Sequence, residues 1–109
     1  MKTKLLLRGL PASRGVAEGH VRVVLDPRTL PDFNEGDILV AKVTEPSMIH
    51  IMNGAAAFVT DIGGITSHAA IIAREIGVPC VTHTKKATRT LKDGMRVRVD
   101  GTRGEVYEL

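Results

Sequence analysis

The sequence predicts an α/β domain built on a parallel sheet, and three observations carry that prediction. Two short apolar runs, Ile38–Ala41 and Ala55–Thr60, lack a polar face and so fit strands buried on both sides. Each is followed by a segment with helical spacing, and a third strand-like run follows Pro79. Residues 38–82 therefore read strand, helix, strand, helix, strand, a pair of βαβ units. Beyond them Met95-Arg-Val-Arg-Val-Asp100 alternates strictly and faces Glu105–Leu109 across the turn Gly101-Thr-Arg-Gly104, which makes a β-hairpin. At 109 residues the chain has room for one core, so residues 1–109 are expected to form a single domain.

Taken in order, Leu5–Leu7 reads as a short first strand and Gly9-Leu-Pro-Ala-Ser-Arg-Gly15 as a turn-rich connection. Val16–Leu25 alternates Val21, Val23 and Leu25 against Arg22, a strand with one solvated face. Residues 26–36, with two prolines and a closing glycine, form a loop before Ile38–Ala41. Thr44-Glu-Pro-Ser resembles a helix start, with Thr44 as the cap and Pro46 in the first turn, for a helix over Ser47–Met52 that ends at Asn53-Gly54. Ala87 and Leu91, four apart, suggest a short helix within residues 84–91. Arg96, Arg98 and Arg103 read as the solvated face of the terminal hairpin.

Composition narrows the functional class. The net charge is +3, the basic residues are scattered, and there are only one Tyr, two Phe and no Trp. Single-stranded nucleic acid therefore finds no stacking platform, though a mildly basic surface suits acidic partners or phosphorylated substrates. The single Cys80 has no internal disulfide partner, which suits a reducing compartment. No apolar run approaches the ~20 residues of a membrane span. The N-terminal Met1-Lys-Thr-Lys-Leu-Leu-Leu is interrupted by Arg8 after three apolar residues, too few for a secretory signal. A cytoplasmic protein is expected.

The chemistry concentrates in Asp61-Ile-Gly-Gly-Ile-Thr-Ser-His68 and the helix that follows. Gly63 and Gly64 permit backbone angles closed to other residues and leave bare N–H groups. Thr66 or Ser67 can cap the helix. From there Ala69, Ile72, Ala73 and Ile76 form one apolar face, widened by Ala70 and Ile71, while Arg74 and Glu75 are left to solvent. Gly77 suits the left-handed position past a helix end, and Pro79 prevents continuation. His68 thus lies in the first turn, where the macrodipole places roughly +0.5 charge. A cation is disfavoured there, so the ring stays neutral with one nitrogen lone pair available. A phosphoryl group on that nitrogen would meet backbone donors at Gly63 and Gly64 and the hydroxyls of Thr66 and Ser67. A capping or packed histidine without chemistry is the alternative from spacing alone.

Other constellations are poorer. The glycine pair lacks the lysine of a phosphate-binding P-loop, and Ser67 lacks the Gly-x-Ser-x-Gly frame of a hydrolase nucleophile. His50, His68, His83 and Cys80 have no metal-ligand spacing, so no metal site is expected. Asp61, just before the glycines, reads more readily as a turn-fixing residue than as a base.

Gly63-Gly-Ile-Thr-Ser-His-Ala-Ala-Ile-Ile-Ala-Arg-Glu-Ile-Gly-Val-Pro79 resembles the phosphohistidine signature of the phosphoenolpyruvate-utilising enzymes. That family includes phosphoenolpyruvate synthase, pyruvate phosphate dikinase and the first enzyme of the bacterial sugar phosphotransferase system. The resemblance extends to Gly9–Val23, Gly36–Ala41 and Asp93–Tyr107, nearly the whole chain. It implies the mobile, swivelling phosphohistidine domain, a three-layer β/β/α fold in which a second, mainly antiparallel sheet backs the parallel one. The family's phosphorylated histidine corresponds to His68. What it further implies is a carrier that moves phosphate between an ATP-grasp nucleotide domain and a barrel that binds phosphoenolpyruvate, or between that barrel and a carrier protein.

Two departures matter. Family members usually have a glycine near His83, where an imidazole would crowd the docking surface or serve a different partner. The chain also has no room for the nucleotide domain or the barrel, and no carboxylate cluster for magnesium, which phosphoryl transfer needs to neutralise the moving oxygens. Alone it is expected to be a phosphotransferase component and not a complete catalyst, with Mg2+ supplied at the partner domains, in trans or beyond its boundaries. The other reading is a non-catalytic regulatory or assembly module, which would need no nucleophile at the helix start.

Overall fold

The computed structural model describes residues 3–109; Met1 and Lys2, the opening of the basic N-terminal run, lie outside the described residues. Its strands are β1 (Lys4–Arg8), β2 (Leu10–Ser13), β3 (Val16–Val24), β4 (Ile38–Ala41), β5 (Ala57–Thr60), β6 (Cys80–Thr82), β7 (Arg96–Asp100) and β8 (Glu105–Glu108). The helices are α1 (Ile49–Met52, entered through a 3₁₀ turn at Pro46–Met48), α2 (His68–Ile76) and α3 (Ala87–Thr90). The strands follow the order β1-β8-β7-β3-β4-β5-β6-β2.

The expected parallel sheet is β3-β4-β5-β6, and the antiparallel one is β1-β8-β7-β3. They share β3, which changes partner along its length. Val16–His20 pairs with β7, and Val21–Val24 pairs with β4. That exchange explains why β3 does not keep one solvated face: Val21 and Val24 are both buried once the strand enters the parallel half.

Alternation along the parallel strands sorts the core into two faces. Ile38, Val40, Ala57, Val59 and Val81 point toward Leu7, Val97, Val99 and Val106 of the antiparallel half. Leu39, Ala41, Phe58 and Cys80 point the other way, against Met48 and Met52 before and within α1 and Ala69, Ala70 and Ala73 of α2. The result is the β/β/α stack that the resemblance implied. Ala87 and Leu91 join the first face, so α3 packs from the side opposite α1 and α2, and not with them.

Three local expectations change. Gly9–Gly15 is not merely a connection: β2 pairs antiparallel with β6 at the end of the sheet. Pro11 argued against a strand, but an edge tolerates a residue that cannot donate. Thr44 does not cap the α1 segment; Glu45 occupies that position without a side-chain bond. The buried face of α2 is narrower than its spacing suggested, with alanines inward and Ile71 and Ile76 exposed, because small side chains let the helix lie close on the sheet. Among the described residues no helix is long and apolar enough to cross a membrane.

Candidate functional site

The site forms at the carboxyl ends of β4, β5 and β6, where open parallel sheets place their ligands. The loops leaving these strands are tied by backbone bonds. Asp61 N–H donates to Ala41 C=O (3.1 Å) and Ile62 N–H to Lys42 C=O (3.0 Å), joining the first two loops. Thr84 reaches the Thr60 carbonyl with both its N–H (3.2 Å) and its hydroxyl (2.9 Å), and Lys85 N–H donates to Asp61 C=O (2.9 Å). Asp61 has the structural role its position suggested. Its buried carboxylate accepts the Thr88 N–H (2.9 Å) and the Thr88 hydroxyl, which fixes α3 beside the glycine loop.

The glycine loop then delivers α2. Gly63 adopts φ +130°, and a side chain there would press on the Cβ and Oγ of Ser67 at 3.0 Å. Gly64 faces open space, with nothing within 4 Å of a built Cβ. Of the two capping candidates, Ser67 is the cap. Its Oγ faces the Ala70 N–H at 3.5 Å and donates its own proton to Gly64 C=O at 2.8 Å. Thr66 is exposed beside it. The amides of His68 and Ala69 are the first helical donors, which no carbonyl of the helix itself can satisfy.

His68, the first residue of α2, is half-buried. Its Nδ1 lies 2.8 Å from Thr44 Oγ1, a contact between residues 24 apart in sequence. Thr44 is itself buried. Either group can donate, and the ring tautomer follows the choice: an Nδ1–H donating to Thr44 Oγ1 leaves the lone pair on Nε2, and a Thr44 O–H donating to Nδ1 leaves the proton on Nε2.

The structure therefore brings together His68, Gly63, Gly64, Thr66 and Ser67, and adds Thr44, which sequence reasoning had given a different duty. A hydroxyl just past a buried strand end was the only signal for it. Cys80 lies in the core, where burial pushes its thiol from the usual 9.0 up to about 12, against a smaller opposing pull from Arg74. Among the described residues no three potential ligands converge to hold a metal ion.

Comparison with known proteins gives a consistent set of likenesses. The family model described as the mobile domain of PEP-utilising enzymes matches residues 33–104. A phosphoenolpyruvate synthase of Pyrococcus furiosus is 53% identical over 107 residues, which is 98% of this chain and 13% of that protein. The chain thus spans only a small part of the curated relatives it matches. The solution structure of an Enzyme I (nEIt) protein superposes with a TM-score of 0.61 and 36% identity, over 69% of this chain and 31% of that one. The holo-form of Thermococcus kodakaraensis aconitase X superposes with a TM-score of 0.72 at 25% identity, over 100% of this chain and 99% of its own.

Proposed function

Because the chain belongs to the mobile-domain family of phosphoenolpyruvate-utilising enzymes, we propose that it is a phosphoryl carrier. His68 accepts a phosphoryl group on Nε2 and passes it between the active sites of partner domains that use phosphoenolpyruvate or ATP. The observation that carries this reading is the 2.8 Å contact between His68 Nδ1 and the buried Thr44 hydroxyl at the start of α2. The cap of α2 is Ser67, so capping does not account for His68.

The chemistry balances with the groups present. The Nε2 lone pair attacks phosphorus in line, an N–P bond forms, and the P–O bond to the donor breaks, its electrons leaving with the donor oxygen. The ring then bears substituents on both nitrogens and loses the Nδ1 proton to water. Thr44 suits both states: its oxygen accepts from Nδ1–H before transfer, and its O–H donates to the Nδ1 lone pair afterwards. The new phosphate carries negative charge at a helix N-terminus, beside the free amides and the exposed Thr66 hydroxyl. Ser67 acts mainly as the cap, since its proton is committed to Gly64. Magnesium belongs with the partner domains, where it would neutralise the donor oxygens.

The test is transfer in trans. The chain is mixed with a trace of Pyrococcus furiosus phosphoenolpyruvate synthase, Mg2+ and phosphoenolpyruvate labelled in its phosphoryl group, and the 11.7 kDa species is followed. The expected result is one acid-labile, base-stable phosphate, lost in His68→Ala and His68→Asn while circular dichroism is unchanged. Label on Thr66 or Ser67, or normal labelling of His68→Ala, would overturn the mechanism. No labelling would return the chain to the non-catalytic reading.

A further inference from the structure

The loops that frame His68 carry an uneven set of charges. Lys42 follows β4, and His83, Lys85 and Lys86 follow β6; all four are exposed. None of the three lysines has an ion-pair partner among the described residues, and Glu45 is the one exposed acid on these loops. Beside them Ile62 and Ile65 are 50% and 58% exposed. An apolar seat next to unpaired charge is a feature of macromolecular contacts more than of small-anion sites.

The backbone of the β6–α3 loop adds a second, independent observation. His83 has φ +57° and Lys85 φ +73°, the left-handed region that side-chain-bearing residues rarely adopt. Between them Thr84 is buried and tied twice to the Thr60 carbonyl, so the side chains on either side are turned to solvent. Glycine at either position would relieve the strain. Strain of this kind persists where the surroundings enforce it, and it gathers at clamps and binding loops. Here its product is an imidazole and an ammonium held outward on the rim of the site.

We infer that the β6–α3 loop is a docking arm, on which His83, Lys85 and Lys86, with Lys42 across the site, recognise acidic side chains bordering the partner active site that receives His68. This rests on the carrier reading. The arm acts before chemistry, by raising the rate and specificity of encounter. It does not touch the transferring phosphate.

The trans-labelling assay distinguishes these roles when the chain is treated as the varied substrate. His83→Gly/Lys85→Gly should raise the thermal midpoint yet increase the KM for the chain several-fold with kcat little changed. Lys42→Glu/Lys85→Glu/Lys86→Glu should lower kcat/KM by about ten-fold or more, within the range expected of lost steering. The unaltered chain should be labelled more slowly as salt is raised, and the triple variant, now repelled by the same acids, should be labelled faster as salt is raised. Unchanged kcat/KM in the triple variant would overturn the arm and leave the carrier standing. A fall in kcat alone would reassign these cations to the phosphate, also against the arm. Failure to label the unaltered chain would remove the carrier reading and this inference together.

Discussion

Thr44 and His68 show how a site residue escapes a sequence reading. His68 and its cap Ser67 sit in one contiguous run whose spacing announces a helix start. Thr44 lies 24 residues away, and a nearby proline gave it a plausible local task. Only the parallel pairing of β4 with β5 brings its hydroxyl to the ring. Thr44→Val keeps the shape and removes the hydrogen bond to Nδ1. It should slow labelling of His68 by roughly ten-fold, the kinetic equivalent of one hydrogen bond worth about 1.4 kcal/mol, with little change in far-UV circular dichroism. Wild-type-like rates would mean that the contact does not set the tautomer. In the unaltered chain, 31P NMR should place the phosphate on Nε2. Cys80 offers a different test at this scale. Its folded pKa lies near 12, chiefly through burial, above the ordinary 9.0. Well below pH 9 the thiol is protonated whether the chain is folded or not and does not alter stability. As pH rises from 9 toward 12 the unfolded chain ionises first, and stability should fall. Tyr107, whose hydroxyl donates to Glu105 at 2.7 Å, is also raised, so the comparison with Cys80→Ala isolates the thiol. Equal high-pH slopes in the two proteins would discount it.

At the scale of elements, the parallel strands were legible because burial on both faces erases alternation: β4 and β5 are apolar or small, and every residue in them is buried. The terminal hairpin was legible for the opposite reason, as Val97 and Val99 are buried between the more accessible Arg96, Arg98 and Asp100. What local patterns could not show was β2, whose pairing with β6 spans the chain and whose Pro11 reads as a breaker. They also could not show the side from which α3 packs, since a four-residue helix presents almost no face. The closure of β2 on the last hairpin turn yields a prediction. Gly9 N–H donates to Gly104 C=O (2.8 Å), and Gly101 N–H donates to Gly15 C=O (2.7 Å). A Cβ on Gly101 would fall onto the Ser13 carbonyl and lie 2.9 Å from the Cys80 amide, both of them backbone. Gly101→Ala should therefore destabilise by about 3 kcal/mol or more, at the upper end for overpacking. Gly64→Ala, with open space around its Cβ, should stay within about 1 kcal/mol of the unaltered chain. Urea denaturation of the pair checks this, and equal midpoints would mean the turn can retreat from β2.

The proposed carrier role requires the domain to move as one body, and the whole molecule has the dimensions for that. The chain exposes 5984 Å², against about 5,900 Å² expected of a monomeric protein of this mass. Its radius of gyration is 11.8 Å, no larger than the roughly 13 Å typical of this length. Although it covers only 13% of a phosphoenolpyruvate synthase, it has not been left with a large uncovered core face. The apolar side chains of the parallel strands are enclosed from both faces of the sheet, and the exposed Ile62 and Ile65 near His68 form only a small seat. The isolated chain should therefore fold without partners and unfold in one cooperative transition, with calorimetric and van't Hoff enthalpies in agreement. Hydrogen exchange should be slowest at the amides of β4 and β5, which lie inside both layers of the core, and fastest in the loops around the site. On the proposed function, phosphorylation of His68 would add charge on one rim and leave both core faces unchanged, so its effects on exchange should stay within residues 42–45, 61–70 and 83–86. Slowed exchange spreading into β7 and β8 on phosphorylation would show that the domain reshapes as it is loaded, which a rigid carrier does not do.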